Sequence, residues 1–474
     1  MNIDLKNLDI PKISQMLQSK ELTVKELTDF CLENIKAKNE ELNVFLFVFE
    51  NIDEQVENAE KMFAEGKQTV LTGIPVAVKA NILIQGQNAN AGSKILEKYK
   101  ATYDATVIEK LKEQGAIFLG YLNQDEFACG GSTENSAFGV TKNPLDTTRV
   151  PGGSSGGTAA AVAADMCVYA LGTDTGGSVR QPAAFCGLVG VKPTYGRVSR
   201  HGAVAMGSSL DQICPITRNI KDSEIVLDAI SGKDSFDMTT ISKDNFLEKE
   251  VKLSKKIAVP FSFINQIKDQ KVLDNFNQSL EILKQKGYEV EDINLDIFKY
   301  ALPIYYVLMP AELSSNLARY DGIRYGNKKE GQNLQEEYVN TKSSGFGEEI
   351  KRRIILGTYV LSAGYENQYY NKANALREQI KAEFKKVIDK YDAVLMPTTP
   401  SYAFKLGQNK NDPIEMYLSD IFTVTANIIG NPALSVPSGM VQTEEGNKMP
   451  LSLQILTDFG EEKKAYKIAE DFLS

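Results

Sequence analysis

Residues 11–65 carry apolar positions at helical spacing, interrupted once. Val24, Leu27, Cys31 and Ile35 share one helical face, and Thr23 with Glu26 forms a capping box ahead of them. The interruption is Asn43–Phe49 (NVFLFVF), a short apolar run rich in β-formers, which predicts a strand. A polar helix follows over Glu54–Phe63. Thr72–Lys79 (TGIPVAVK) predicts a strand entered through Gly73 and ending on Lys79. A helix over 104–115 closes at Gly115, and AIFLGYL behind it predicts the next strand. Thr158–Ala164 is Ala-rich and helical, Met166–Leu171 reads as a buried strand, and Val179–Phe185 as a helix with Pro182 in its first turn.

This alternation of strand and helix runs to residue 215 and predicts an α/β protein. Residues 220–250 read as polar and loop-rich. Lys256–Val259 predicts a strand, and 268–390 is mostly helical with strands near Tyr288 and Asn294. Tyr391–Pro397, Ala433–Pro437 and Leu451–Ile455 predict the last strands, before an amphipathic helix over Glu461–Leu473. There is no internal repeat, low-complexity tract or long linker.

Composition narrows the chemistry. A length of 474 residues by itself suggests two or three domains. The net charge of −9 argues against the chain as a whole being a nucleic-acid binder. The opening MNIDLKNLDIPK lacks a basic stretch followed by an apolar one, and no run approaches 18 apolar residues, so a cytoplasmic location is expected. Five scattered cysteines (Cys31, Cys129, Cys167, Cys186, Cys214) without C-x-x-C fit a reducing compartment and speak against a zinc or disulfide framework. His201 is the single histidine, which weakens every hydrolytic scheme built on imidazole.

Arg149–Tyr195 holds two glycine-flanked serines, Ser154 and Ser178, on either side of the Ala-rich helix and an apolar strand. Gly152–Gly156 matches G-x-S-x-G, but a nucleophile elbow needs a strand before it, and TKNPLDTTRVP is turn-like. A phosphate cradle also lacks support, because G-x-x-x-x-G-K-[ST] is absent. Ser178 has the better setting for a nucleophile. It lies between strand and helix, and the glycines before it leave the N–H groups of Thr175, Gly176 and Gly177 bare to face an oxyanion. The plainer reading of DTGGS is a loop with a serine N-cap. Lys79, ending an apolar strand, is a candidate base because burial favours its neutral amine; a solvated charge is the ordinary alternative.

Taken together, GIPVAVK (73–79), PGGSSGG and DTGGSVRQPAAFCGLVGVKPTYGRVSR resemble the amidase signature family. The resemblance implies a Ser–cis-Ser–Lys set without histidine: Ser178 the acyl nucleophile, Ser154 the relay, Lys79 the base. It implies one amidase domain over 1–474: a large mixed sheet covered by helices, with a signature core at 66–220, a mostly helical middle insertion at 268–390 and a C-terminal part at 391–474.

Further segments resemble one branch of that family, the glutaminase subunits of tRNA-dependent amidotransferases acting on Glu-tRNA(Gln) or Asp-tRNA(Asn). They include NQDEFACGGSTENSAFG (123–139), GFGEEIKRRIILGTYVLSAGY (345–365) and MYLSDIFTVTANIIGNPALSVPSG (416–439). Cys129 and His201 depart from the commoner residues of that branch, and neither touches the triad. The branch implies that an arginine of KRRIILG, Arg353 or its neighbour Arg352, holds the carboxylate of free glutamine while Asp420 holds its amine. It also implies B and C partner subunits forming a heterotrimer. ATP, Mg²⁺ and tRNA are then expected on the B subunit, with no metal or cofactor in this chain. A free-standing amidase acting on a small-molecule amide is the rival reading. It would share the triad and lack the glutamine-holding pair.

Overall fold

In the computed structural model the structure describes residues 3–242, 251–409 and 412–474. An 11-stranded mixed sheet runs through the molecule in the order β1-β3-β2-β4-β6-β5-β10-β11-β9-β7-β8. The strands are β1 (Phe45–Val48), β2 (Pro75–Lys79), β3 (Ile117–Leu122), β4 (Tyr169–Asp174), β5 (Val189–Lys192), β6 (Gln212–Thr217), β7 (Lys256–Val259), β8 (Glu289–Asp292), β9 (Ala393–Pro397), β10 (Ala433–Gln442) and β11 (Lys448–Leu456). β2 lies parallel to both β3 and β4, and β7 parallel to β8 and β9; the other pairings are antiparallel. This is the α/β protein that the alternation predicts and the large mixed sheet covered by helices that the resemblance implies.

Burial explains the central strands. All five residues of β2 and all six of β4 are buried, as expected of strands with helices over them. The helix Gly156–Ala163 packs on β2 and β4, and Arg180–Cys186 packs on β5, β10 and β11. The N-terminal capping box is present: Thr23 accepts from the Glu26 amide, and the Thr23 amide donates to the Glu26 carboxylate at 2.8 Å.

Several expectations shift. The strand expected over Met166–Leu171 instead spans Tyr169–Asp174. Its polar end pairs with β6 from Ala170 to Asp174, so ladder partners rather than apolar character set its limits. Residues 220–230, read as loop, form a helix whose N-cap Asn219 accepts from the Asp222 amide. One strand, β8, stands where two were expected near Tyr288 and Asn294. β5 and β6 were not separated by the hydrophobic pattern, and residues 243–250 of the expected loop lie outside the described residues. β10 and β11 extend beyond their expected ends as a long antiparallel pair with an irregularity between Pro437 and Gly439.

Candidate active site

β2 and β4 are parallel neighbours, so their carboxyl ends lie side by side, the position where open α/β sheets bind ligands. β2 delivers Lys79 there and β4 delivers Thr173 and Asp174. The Lys79 Nζ lies 2.8 Å from Ser154 Oγ, 2.8 Å from Ser155 Oγ and 2.9 Å from Thr173 Oγ1. Lys79, Ser154 and Ser155 are fully buried, whereas Ser178 keeps 9% of its surface open. Ser178 is therefore the least deeply buried of the three serines. The peptide bond between Gly153 and Ser154 is cis.

Burial pushes the Lys79 ammonium down to about 7, against the pull of Asp125, Asp174 and Asp211. A neutral Lys79 needs a hydroxyl that can give it a proton. Ser155 is unsuited, because its hydroxyl donates to the Thr173 carbonyl at 3.1 Å while receiving the Thr173 amide at 3.3 Å. Thr173 Oγ1 already accepts from Asn81 Nδ2 at 3.0 Å as well as from Lys79. Ser154 has no such competing commitment among its described hydrogen bonds.

The two serine loops are tied to each other. The Ser155 amide donates to the Ser178 carbonyl at 3.2 Å. Gln181 Oε1 accepts the Gly153 amide at 2.9 Å, and Gln181 Nε2 donates to the Gly131 carbonyl at 2.8 Å. Asp125 receives the amides of Thr133 at 2.9 Å and Asn135 at 3.0 Å and so folds the 130–135 loop under Gly153. A Cβ on Gly153 would stand 2.2 Å from Asp125 Oδ2, so the serine loop needs glycine at this point.

Asp174 is the pin beneath Ser178. Its Oδ1 receives the Gly177 amide at 2.9 Å, and its Oδ2 receives the amides of Val179 at 3.3 Å and Arg180 at 3.4 Å. The expectation that Thr175, Gly176 and Gly177 all present bare amides is thus corrected for Gly177, whose N–H the Asp174 carboxylate has taken. Burial works against the Asp174 charge, but the fully buried Arg180 guanidinium holds its carboxyl down to about 2. Arg180 also donates to the Thr423 carbonyl (2.8 Å), Gln454 Oε1 (2.6 Å) and Asn427 Oδ1 (2.6 Å).

The second half of the site faces these loops. Thr423 Oγ1 donates to the Gly176 carbonyl at 2.7 Å, and the Thr423 amide donates to the Asp420 carbonyl at 3.0 Å, which joins the Asp420 turn to the Ser178 loop. Tyr305 packs on Gly176, where a Cβ would stand 2.6 Å from its ring. The next residue, Tyr306, donates from its phenol to Asp420 Oδ2 at 3.3 Å. Arg353, on the helix Glu348–Val360, is buried at 3% exposure, with its guanidinium carbon 5.5 Å from the Tyr306 and Tyr417 ring centroids. The neighbouring Arg352 side chain is 52% exposed, so of the two arginines Arg353 is the one buried against the Tyr306 and Tyr417 rings. Burial pushes the Asp420 carboxyl up to about 7 despite Arg353 nearby. His201 lies apart, stacked between Tyr103 (5.0 Å) and Phe236 (4.6 Å).

Asp125, Thr173, Asp174, Arg180, Gln181 and Tyr306 escaped the sequence reading. For Arg180 and Gln181 a signal exists: they are large polar residues inside the run of small and apolar residues from Gly176 to Val191, and buried polar groups require partners.

A buried lysine bonded to one glycine-loop serine, with the loop of a second, less deeply buried serine tied to the first, is the arrangement that the amidase resemblance implies. The amidase family profile matches residues 26–465, and the chain belongs to that family. It is 45% identical to the A subunit of the glutamyl-tRNA(Gln) amidotransferase of Clostridium botulinum (strain Kyoto / Type A2), over 99% of this chain and 97% of that protein. It is equally, 45%, identical to the protein of the same name from Thermoanaerobacter pseudethanolicus, over 99% and 96%. The crystal structure of the glutamyl-tRNA(Gln) amidotransferase A subunit from Thermotoga maritima superposes with a TM-score of 0.81 at 40% identity, covering 99% of this chain and 95% of that one.

Proposed function

We propose that this chain is the glutaminase subunit of a tRNA-dependent amidotransferase. The observation that carries the reading is the buried Lys79–Ser154 contact, with the loop of the less deeply buried Ser178 tied through Thr423 to the turn of Asp420 and its neighbour Arg353. Full-length likeness to proteins named as the A subunit of glutamyl-tRNA(Gln) amidotransferase supports it.

The chemistry follows from the atoms. Ser178 Oγ attacks the side-chain amide carbon of glutamine, passing its proton to Ser154, whose own proton goes to neutral Lys79. The carbonyl oxygen becomes an oxyanion facing the amides of Thr175 and Gly176. The proton returns through Ser154 to the amide nitrogen, the C–N bond breaks, and ammonia leaves with a glutamyl ester on Ser178. Water, deprotonated by the same relay, cleaves the ester to glutamate. Arg353 binds the α-carboxylate and Asp420 the α-amine, one cation and one anion for a zwitterion.

Ammonia then passes to a partner B subunit, which activates Glu-tRNA(Gln), or Asp-tRNA(Asn), using ATP and Mg²⁺ bound there; a C subunit completes a heterotrimer in the cytoplasm. Among the described residues no helix is long and apolar enough to cross a membrane.

Two measurements test the reading. A glutamine-directed electrophile should modify Ser178, as read by peptide mass spectrometry; an adduct on Ser154 with Ser178 untouched overturns the assignment. Arg353→Ala and Asp420→Ala should raise the KM for glutamine by roughly tenfold or more, because each strands a ligand charge. Ammonia-driven amidation by the assembled enzyme should stay near the parent rate. An equal fall in ammonia use assigns both residues a structural role instead.

A further inference from the structure

The arginine that faces the cleft is itself held. Arg353 Nε donates to Glu349 Oε1 at 2.7 Å, one helical turn back on the same helix. The same oxygen accepts the Tyr417 phenol at 3.2 Å, from a different element, the helix Pro413–Leu418. The other oxygen of Glu349 is bonded by Arg352 from the solvent side. Glu349 keeps 12% of its side-chain surface open, so the pair is largely shielded from water and worth more than a surface ion pair.

The ring of Tyr417 stacks on that of Tyr306 at 4.0 Å between centroids. Tyr306 in turn donates to Asp420. Arg353, Glu349, Tyr417, Tyr306 and Asp420 therefore form one chain of contacts, with the Arg353 cation at one end and the Asp420 carboxyl at the other. Nothing in the catalytic relay requires Glu349 or Tyr417, and neither is a group that substrate needs to touch.

An arginine is an effective carboxylate fork only when its plane is fixed. Rotation about the bond to Nε carries both terminal nitrogens away from the ligand. Glu349 binds at Nε and leaves the two terminal nitrogens for a ligand. Of these, Nη1 rests on Met309 Sδ at 3.5 Å, a weak acceptor that a carboxylate readily displaces. We propose that Glu349, braced by Tyr417, is the positioning residue that fixes Arg353 as a carboxylate fork. It thereby makes the site selective for amides bearing an α-carboxylate.

This rests on the glutaminase reading and adds to it a selectivity that two glutamine fragments separate. Glutaramate keeps the carboxylate and lacks the amine; 4-aminobutanamide keeps the amine and lacks the carboxylate. Both are measured as competitive inhibitors of glutamine hydrolysis by the enzyme purified in its native assembly. In Glu349→Gln the KM for glutamine and the inhibition constant of glutaramate should each rise about tenfold, the loss expected when a charged hydrogen bond is exchanged for a neutral one. The kcat should stay within about twofold, and inhibition by 4-aminobutanamide should be unchanged. Glu349→Asp, which restores the charge on a shorter arm, should recover part of the glutaramate affinity, and Tyr417→Phe should lose a smaller share of it.

Unchanged glutaramate inhibition in Glu349→Gln overturns the proposal. So does an equal loss for both inhibitors, which assigns Glu349 to general packing; a matched thermal unfolding midpoint excludes misfolding as the cause. If the unmodified enzyme does not hydrolyse glutamine at all, the glutaminase reading fails, and that outcome is seen before any variant is made.

Discussion

Lys79 and Asp420 are both poised near neutrality, by the same cause acting on opposite charges. Burial pushes the lysine down to about 7 and the carboxyl up to about 7. A protonated Lys79 cannot accept a proton from Ser154, so kcat for glutamine should fall as pH drops through about 7. A protonated Asp420 cannot hold an ammonium, so KM should rise over the same interval. A pH series of both parameters checks this, and Asp420→Asn should abolish the KM limb while leaving that of kcat. Lys79→Arg keeps charge and donors yet cannot serve as a base, so it should lose glutaminase activity by a factor on the order of 10³ or more, as should Lys79→Ala. Substantial turnover in Lys79→Arg would mean that the site uses the charge. The two serine loops were legible in the sequence because glycines mark them, and the fold brings Lys79 from a strand end to Ser154. Arg353 was legible only to within one residue, since the exposure that separates it from Arg352 depends on how its helix packs.

Loops at strand ends carry the backbone geometry of the site, and two glycines show how little freedom they have. Gly177 has φ +130°, and a Cβ there would stand 2.1 Å from Thr423 Oγ1, the hydroxyl that holds the Gly176 carbonyl. Gly177→Ala should therefore lower the thermal unfolding midpoint, by about 1–3 kcal/mol of strain and overpacking, and lose glutaminase activity out of proportion. Normal turnover in that variant would show that the loop can re-form around the methyl. Strands with continuous apolar runs, such as β2, were legible in place. β4 was displaced in the sequence reading because Thr173 and Asp174 look like loop residues; in the sheet one meets Lys79 and the other Arg180. The helix Ile220–Ile230 was hidden by its polar outer face, although Ile220, Val226, Leu227 and Ile230 line its buried side.

Across the whole molecule, the Asp174–Arg180 pair gathers distant segments around one buried charge. Removing Arg180 leaves the carboxylate beneath Ser178 without its cation, so Arg180→Met should cost about 3–5 kcal/mol, read by chemical denaturation. Asp174→Asn with Arg180→Met should recover part of that loss, because no lone charge remains; additive losses would mean that the two do not depend on each other. No local pattern announces this network, since Asn427 and Gln454 lie 247 and 274 positions from Arg180. The α/β character was legible from alternation, whereas the order of the sheet, which places β5 between β6 and β10, depends on pairings between chain halves.

That reach also has a consequence in time. A chain is made from its amino end, and the 274 positions between Arg180 and Gln454 take roughly 15–55 s to add at ordinary rates of synthesis. Until Thr423 is added, 243 positions after Arg180, the turn bearing Ser178 exists without any of Thr423, Asn427 and Gln454, three of the four residues that hold the Arg180 guanidinium, and Gln454 arrives last. The nascent polypeptide therefore carries Ser178 for most of its synthesis without the formed surroundings of the finished fold. The hydrolase matures only once its closing strands are in place.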